Sequence, residues 1–239
     1  MSKRAYVVGV DGCPGGWFAV WNRGSELAYH AYKRFADLWD AHNAATLILV
    51  DIPIGIPACP AQFPRECDAT AQARLGRRSC TVFRVPMEVA LAEPDYAKAS
   101  ALHRKLTSRG ISRQVHAIRE KMSEANSFLA DNPKAQIVVA ESHPELCFLA
   151  LRGSPVPIGK KKTEGFSLRL ALLKNEDARS ADICAEASAE YTRAVVGRDD
   201  ILDALVLFLA AQQPLVPLTE SPAFGLHGLP MRILIPRKA

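Results

Sequence analysis

Near the start of the chain, short hydrophobic runs alternate with short polar or glycine-rich segments, which is typical of short β-strands separated by tight turns. Ala5–Val10, Trp17–Trp21 and Leu27–Tyr32 are strand-like, and residues 11–16 between the first two are rich in glycine. Turn residues at such spacings join neighbouring strands into hairpins. We therefore predict an antiparallel three-stranded meander in this part of the chain.

The following elements extend the meander into a larger sheet. Phe35–Ala44 has a helical pattern, and Leu47–Val50 is a continuous apolar run, as expected of a parallel strand covered on both faces. Gln136–Ala140 returns to strand character, and Met231–Ile235 has the pattern of a short strand. This order predicts an α/β fold with a mixed five-stranded sheet, three antiparallel then parallel strands, flanked by helices.

A long helical and loop-like segment, at about residues 60–134, separates the fourth and fifth predicted strands. Apolar residues from Ile111 to Leu129 recur at alternating spacings of four and three, which predicts one face of an amphipathic helix. Ile201–Gln212 is the clearest helix in the remainder. Because no linker divides the chain, we predict a single domain over residues 1–239 with this segment as an inserted helical subdomain.

Carboxylates follow three of the predicted strands. Asp11, Asp51 and Glu141 each come directly after an apolar run, and Asp200 and Asp203 share one face of the predicted C-terminal helix. Strand ends in an open α/β sheet meet in one crevice, where converging carboxylates repel one another unless a cation neutralises them. Oxygen ligands suit Mg²⁺ or Mn²⁺. Two such ions catalyse in-line displacement at phosphorus, one activating water and the other stabilising the leaving oxygen.

Each carboxylate also has a structural interpretation. Asp11 precedes a glycine in turn-forming sequence, Asp51 is an ordinary residue after a strand, and Asp199 and Asp200 complement a helix dipole. The functional interpretation therefore depends on the conjunction of three strands that each end in a carboxylate. His143 is a candidate proton shuttle or ligand, and equally a cap of the turn that precedes the next proline.

Positive charge is concentrated in one part of the chain. Residues 65–134 carry 13 lysines and arginines against 8 acidic residues, and the remainder is neutral. Arg74, Arg77 and Arg78 are candidates for holding substrate phosphates, with structural salt bridges as the alternative. Lys162 belongs to a second basic element, the three consecutive lysines from residue 160, although such a run is more often a solvated face.

Composition excludes several classes of protein. The formal charge of +5 and the mean hydropathy of −0.01 are typical of a globular chain. No apolar run approaches the ~18 residues of a membrane span, and no signal-peptide pattern is present, so we predict a cytoplasmic protein without membrane association. Six dispersed cysteines without a C-x-x-C pair argue against a zinc site. The glycines of residues 12–16 do not form a dinucleotide-binding motif.

Five motifs follow one another along the chain. They are GVDGCPGGW (Gly9–Trp17), LVDIPIGIP (Leu49–Pro57), REC-D with LGRRSCTVF (Arg65–Phe83), VAESHPELCF (Val139–Phe148) and DDILDAL (Asp199–Leu205). With these motifs in this order, the sequence resembles DUF429, the family called domain of unknown function 429, whose members are described as predicted nucleases with a ribonuclease H-like fold. The resemblance runs from about residue 5 to 236.

The resemblance implies a set of metal ligands. In ribonuclease H-like folds an aspartate of the first strand, a carboxylate on the fourth strand and aspartates of the C-terminal helix bind the metals. These positions correspond to Asp11, Asp51 and Asp200 or Asp203, and Glu141 is an additional candidate outside the usual ligand positions. The candidate catalytic residues are Asp11, Asp51, Glu141, Asp200, Asp203 and His143, and all except His143 are also candidate metal ligands.

The leading hypothesis is a nuclease that uses Mg²⁺ or Mn²⁺ to hydrolyse phosphodiester bonds, with the basic insertion as its backbone contact. A second hypothesis is a non-catalytic protein of the same fold that binds nucleic acid or a nucleotide. A third is an actin-like phosphotransferase, which the short chain disfavours because such enzymes usually need two copies of the fold.

Overall fold

The computed structural model describes residues 5–237, and its centre is one five-stranded sheet. The strands are β1 (Val7–Cys13), β2 (Gly16–Arg23), β3 (Glu26–Tyr32), β4 (Leu47–Asp51) and β5 (Val139–Glu141). Their order across the sheet is β3-β2-β1-β4-β5. β2 is antiparallel to both β1 and β3, whereas β1, β4 and β5 run parallel. The predicted mixed sheet of an α/β fold is confirmed.

The first hairpin turns later than the sequence pattern predicts. β1 continues past Asp11 to Cys13, which pairs with Gly16, so the turn itself is Pro14-Gly15. Gly16 has a φ of 136°, and a Cβ there would lie 2.0 Å from the carbonyl oxygen of Tyr32. Only glycine fits this conformation and this close approach. Asp11 is therefore a strand residue and not part of a turn.

Helices cover both faces of the sheet, and six of them, α2 to α7, lie between β4 and β5. Among the described residues, none of the helices combines the length and the hydrophobicity that a membrane span requires. The helices are α1 (Phe35–His42), α2 (Glu66–Leu75), α3 (Glu88–Ala92), α4 (Tyr96–Thr107), α5 (Arg113–Ala117), α6 (Arg119–Asp131), α7 (Pro133–Val138), α8 (Pro144–Arg152), α9 (Thr163–Glu176), α10 (Ser180–Glu190) and α11 (Arg198–Ala211).

Three predicted elements have different bounds in the structure. The amphipathic pattern from Ile111 to Leu129 is divided between α5 and α6, which meet at Ile118. The apolar run expected to begin a strand at Gln136 is still helical until Val138, because a short apolar run fits a buried helix as well as a strand. The predicted terminal strand is β7 (Leu234–Pro236), which pairs with β6 (Leu215–Pro217) in a separate two-stranded sheet.

Alternate residues of the central strands pack into two hydrophobic layers. Val7 and Leu49 face the layer that contains α8 to α11, whereas Val8 and Ile48 face the layer that contains α1 and α6. This alternation is the period-two pattern of a sheet buried on both faces. Because α6 contributes to the second layer, part of the helical segment between β4 and β5 shares the core of the sheet.

The close packing of α11 on β1 determines which residues meet at the end of the sheet. Every residue of α11 from Ile201 to Ala211 is buried. A Cβ at Gly9 of β1 would lie 2.1 Å from the backbone nitrogen of Phe208 and 2.3 Å from the carbonyl oxygen of Ala204. Glycine thus lets the helix backbone approach the strand directly. The first turns of α11, including Asp203, lie beside the C-terminal ends of β1 and β4 as a result.

Candidate metal centre

Three carboxylates from distant parts of the chain meet at the end of the sheet. Asp11 of β1 is the register partner of Asp51 of β4, and Asp203 comes from α11. One carboxylate oxygen of each lies within 4.8 Å of those of the other two. Oxygen ligands lie about 2.0–2.6 Å from a hard divalent cation, so opposite ligands are about 4–5 Å apart. We call these three residues the acidic cluster, and their spacing fits one ion.

Burial and mutual repulsion raise the pKa values of the acidic cluster. Loss of hydration is the main cause at each of the three carboxyls. The neighbouring charges of Asp51 and Asp203 raise the pKa of Asp11 further, and the pKa of Asp203 rises to about 7. A bound cation would relieve both effects, because it replaces the lost hydration and separates the negative charges.

A lysine is the nearest positive charge. Lys160 Nζ donates to Asp203 Oδ2 and lies 3.9 Å from Asp199 Oδ2. Burial disfavours the ammonium form, but the charges of Asp203 and Asp11 outweigh this and raise the pKa of Lys160. When all groups are ionised, the three carboxylates and one ammonium leave a charge of −2. One divalent cation would neutralise this charge.

The segment that carries Lys160 is held by a buried ion pair. Arg169 of α9 donates to both carboxylate oxygens of Glu145, at 2.6 and 2.8 Å, and to the carbonyl of Ile158 at 2.8 Å. Arg78, a predicted phosphate ligand, also donates to Glu145 at 3.0 Å. The structure therefore places Arg78 in the network that positions the lysine.

Glu141 is not part of the acidic cluster, although it lies at the end of β5. Arg65 donates to its two oxygens at 2.7 and 2.9 Å, and the backbone N–H of Ile54 donates at 2.8 Å. The same guanidinium holds Asp68 at 2.5 Å. Arg65, Asp68 and Glu141 are all buried, and we call them the Arg65 network. Within it, the carboxylate of Glu141 is engaged by protein donors on both oxygens.

The two helix aspartates named as alternatives have different surroundings. Asp203 belongs to the acidic cluster, whereas Asp200 Oδ2 accepts a hydrogen bond of 2.9 Å from the N–H of Gly197 and so caps α11. Burial raises the pKa of Asp200 to about 6. Asp200 also lines the cleft described below, so the structure places it beside the cluster and not within it.

His143 stands immediately before α8 and is half-buried. Its Nε2 lies 3.1 Å from the carbonyl oxygen of Thr81, which assigns the proton of the neutral ring to Nε2. Its Nδ1 is buried and has no hydrogen-bond partner among residues 5–237. The ring of His143 thus lines the cleft, with its Nδ1 buried in the protein.

Comparison with known proteins adds one finding. The family model described as protein of unknown function (DUF429) matches residues 9–215. The chain belongs to the DUF429 family. The match includes all three residues of the acidic cluster and the whole segment between β4 and β5. No curated protein and no solved structure matches this DUF429 protein.

In this DUF429 protein Asp11 and Asp51 of the acidic cluster line a cleft of about 190 Å³, and Asp203 is not among its lining residues. Lys160 and Lys121 of α6 line it, and the Lys121 ammonium lies 5.4 Å from the ring centre of Trp17. The predicted phosphate ligands Arg77 and Lys162 are exposed. None of the four predicted phosphate ligands, Arg74, Arg77, Arg78 and Lys162, lines the cleft. The residues that line it are Asp11, Gly12, Asp51, Ile52, Pro53, Arg65, Asp68, Thr81, Val82, Phe83, Ile118, Lys121, Glu141, Ser142, His143, Lys160, Asp200 and Ile233.

Two functional candidates were missed by sequence reasoning. Lys160 belongs to a run of three lysines, and nothing in that run distinguishes it from Lys162. Lys121 lies within the amphipathic pattern of the helical segment, where its charge gives no sign that it faces a strand. A Cβ on Gly12 would lie 3.1 Å from the Lys121 side chain, so glycine in β1 makes room for this lysine.

Proposed function

We propose that this DUF429 protein is a metal-dependent hydrolase of phosphodiester bonds in nucleic acid, with a ribonuclease H-like fold. The meeting of three carboxylates from β1, β4 and α11 is the observation that carries the proposal. Asp11, Asp51 and Asp203 stand at the first-strand, fourth-strand and C-terminal-helix positions that bind metals in ribonuclease H-like folds. The sheet order and the direction of each strand are consistent with that fold.

The donor set fits a hard cation, Mg²⁺ or Mn²⁺, because all three groups are carboxylate oxygens. The charge of −2 left by the carboxylates and Lys160 matches one such ion, so we propose one ion and a lysine in place of two ions. When bound, the ion would supply Lewis-acid activation of water and of the phosphate.

The protein's own groups would supply the rest of the chemistry. Lys160 holds a permanent positive charge beside the acidic cluster, where it would stabilise charge that develops on a phosphate oxygen. His143 lines the same cleft and would transfer protons there. Lys121 would orient the substrate by attracting a neighbouring phosphate.

The direct test is cleavage of single-stranded, duplex, hybrid and branched nucleic acid with Mg²⁺ or Mn²⁺. We expect Asp11→Asn to lower the rate on the order of 10²–10³-fold, because it removes a charged ligand. Asp40→Asn, at an exposed position of α1, is the matched control and should cut at the wild-type rate. Failure to cut any substrate, or undiminished cutting by Asp11→Asn, would refute the proposal.

The ion pair of Lys160 with Asp203 favours one alternative, a non-catalytic protein that binds nucleic acid or a nucleotide. In that case the lysine balances the cluster and the carboxylates serve only the structure. Thermal denaturation with and without Mn²⁺ separates the two functions, because a ligand that binds the native state raises the melting temperature. Stabilisation by Mn²⁺ that disappears in Asp11→Asn supports the hydrolase, and its absence in the wild type supports the alternative.

A further inference from the structure

A second cavity adjoins the cleft on the side of helices α2, α4 and α5. Its volume is about 460 Å³, within the roughly 300–1,000 Å³ typical of sites for small ligands. Val82 and Phe83 line both the cavity and the cleft, so this short segment forms part of the wall between them. A ligand bound beside the acidic cluster could therefore extend across Phe83 into the second space. We call this space the insertion cavity.

The walls of the insertion cavity combine aromatic surface with positive charge. Phe63 and Phe83 are half-buried, and Arg84 and Arg109 are exposed at its edge. Arg84 Nε donates to the side-chain oxygen of Gln72 at 3.2 Å, which orients the guanidinium. Among the described residues that line the cavity, none is aspartate or glutamate. Such a surface is complementary to a ligand with a flat ring and an anionic group.

The backbone around Arg109 is held in place from beneath. His103 is fully buried, and its Nδ1 lies 2.6 Å from the carbonyl oxygen of Arg109. The Phe63 ring packs edge-on against His103, with 4.6 Å between the ring centres. Phe63 and Arg109 are thus fixed relative to each other through one buried residue. A site organised before binding loses less conformational entropy when the ligand arrives.

We propose that the insertion cavity binds the nucleotide next to the scissile phosphate of a single-stranded substrate. The base packs on Phe63 and Phe83, and its phosphate is held by Arg84 and Arg109. Base stacking on aromatic side chains with flanking positive charge is the common mode of single-strand binding. A base must leave the duplex stack before it can enter such a cavity, so a paired strand is excluded. This inference rests on the proposed function and names its substrate class.

The first test is equilibrium binding of fluorescein-labelled oligothymidylates of two, four and eight nucleotides, without metal, followed by fluorescence anisotropy. We expect the double variant Arg84→Gln/Arg109→Gln to bind about 10-fold more weakly, with a shallower dependence on salt, because two phosphate contacts are lost. Phe63→Leu should weaken binding with the salt dependence unchanged, since stacking involves no counterion. Arg23→Gln, an exposed arginine outside both spaces, is the matched control and should bind as the wild type does.

The second test is hydrolysis of bis(p-nitrophenyl) phosphate, a diester that has no neighbouring nucleotide. The double variant should retain wild-type kcat/KM on this diester while it loses about 10-fold on an oligonucleotide, because only the second substrate reaches the insertion cavity. Arg109→Gln alone serves if the double variant does not fold. An equal loss on both substrates would overturn the inference, since the arginines would then act on the site itself.

The two tests separate this inference from the proposed function. If the wild type hydrolyses no diester but binds oligonucleotides through these arginines, the hydrolase proposal fails and a nucleotide site in the insertion cavity stands. If the wild type cuts nucleic acid and the variants bind normally, the insertion cavity is not a nucleotide site and the hydrolase proposal stands. Failure of the wild type to bind any of the oligonucleotides overturns the inference.

Discussion

Residues of two charged groups, the Arg65 network and the acidic cluster, line the same cleft, and the groups differ in how many hydrogen bonds the protein donates to their carboxylates. In the Arg65 network one guanidinium donates to both carboxylates and to the carbonyl of Ile54. The backbone N–H groups of Ile54 and Val85 donate to Glu141 and Asp68. A buried ion pair is tolerated when its remaining hydrogen bonds are made, and this network meets that condition.

The acidic cluster has no comparable set of donors. Lys160 donates to Asp203, and among residues 5–237 no side chain or backbone N–H donates to the carboxylate of Asp11 or Asp51. Loss of hydration raises the pKa of Asp11 and Asp51, but it also raises the pKa of Glu141, to about 7, within the Arg65 network. The two groups therefore differ in the donors that they have and not in the direction of the pKa shift. Burial alone therefore does not mark a ligand site. A deficit of donors distinguishes the candidate metal centre from the structural network beside it.

The largest expected effect comes from breaking the satisfied network. Arg65→Met leaves two buried carboxylates without their cation, and we expect the free energy of unfolding to fall by about 3–5 kcal/mol. Urea denaturation followed by circular dichroism measures the change. Arg84→Met, at an exposed arginine of the same segment, is the control and should change stability by less than about 0.5 kcal/mol. A loss below about 1 kcal/mol for Arg65→Met would mean that the network does not hold the fold.

Part of this contrast could be predicted from sequence and part could not. The apolar runs before Asp11 and Asp51 and the helical period around Asp203 are local patterns, and they predicted the elements that carry these carboxylates. Glu141 follows an equally good apolar run, but its partner Arg65 is 76 positions away in the chain. A local pattern contains no information about a contact at that distance, so sequence reasoning cannot separate a satisfied carboxylate from an unsatisfied one.

The same limit applies to the helical segment and to the lysines. The apolar period correctly predicts helical structure, but the break at Ile118 depends on how α5 and α6 pack, and the period alone does not show it. Likewise, the three consecutive lysines from residue 160 have the same local sequence pattern, so the pattern does not single out Lys160. The Arg169–Glu145 ion pair positions Lys160 beside Asp203, and that pair joins α8 and α9. Tertiary contacts of this kind determine the site more than residue type does.

A buried histidine outside the Arg65 network and the acidic cluster gives an expected change in stability of intermediate size. His42 is buried, with tyrosine hydroxyls of Tyr6 and Tyr32 at 2.5 and 3.0 Å from its two ring nitrogens. Burial lowers its pKa from 6.5 to about 4. Between these values the unfolded chain binds a proton that the native protein does not, so stability falls as the pH drops from 6.5 toward 4.

We expect the titration of His42 to lower the free energy of unfolding of the wild type by about 1–3 kcal/mol between pH 7 and pH 4. This loss adds to the loss caused by protonation of carboxyl groups. His42→Gln keeps a polar side chain but does not titrate, so its stability should depend less on pH in that window. Urea denaturation at pH 7, 6, 5 and 4 measures both proteins. Identical pH profiles for the two proteins would show that His42 ionises equally well in the folded and unfolded states.

The smallest expected effect has the opposite sign and tests the acidic cluster itself. Asp11→Asn removes one of three crowded carboxylates without changing the shape of the side chain. In the presence of EDTA at pH 8 we expect the free energy of unfolding to rise by about 1 kcal/mol, because repulsion and the cost of desolvation both decrease. The same variant should gain nothing from added Mn²⁺, whereas the wild type should be stabilised. Asp40→Asn, the exposed control, should show neither change. If Asp11→Asn destabilised the metal-free protein as Arg65→Met does, the acidic cluster would be a structural network like its neighbour, and the distinction between the two would be wrong.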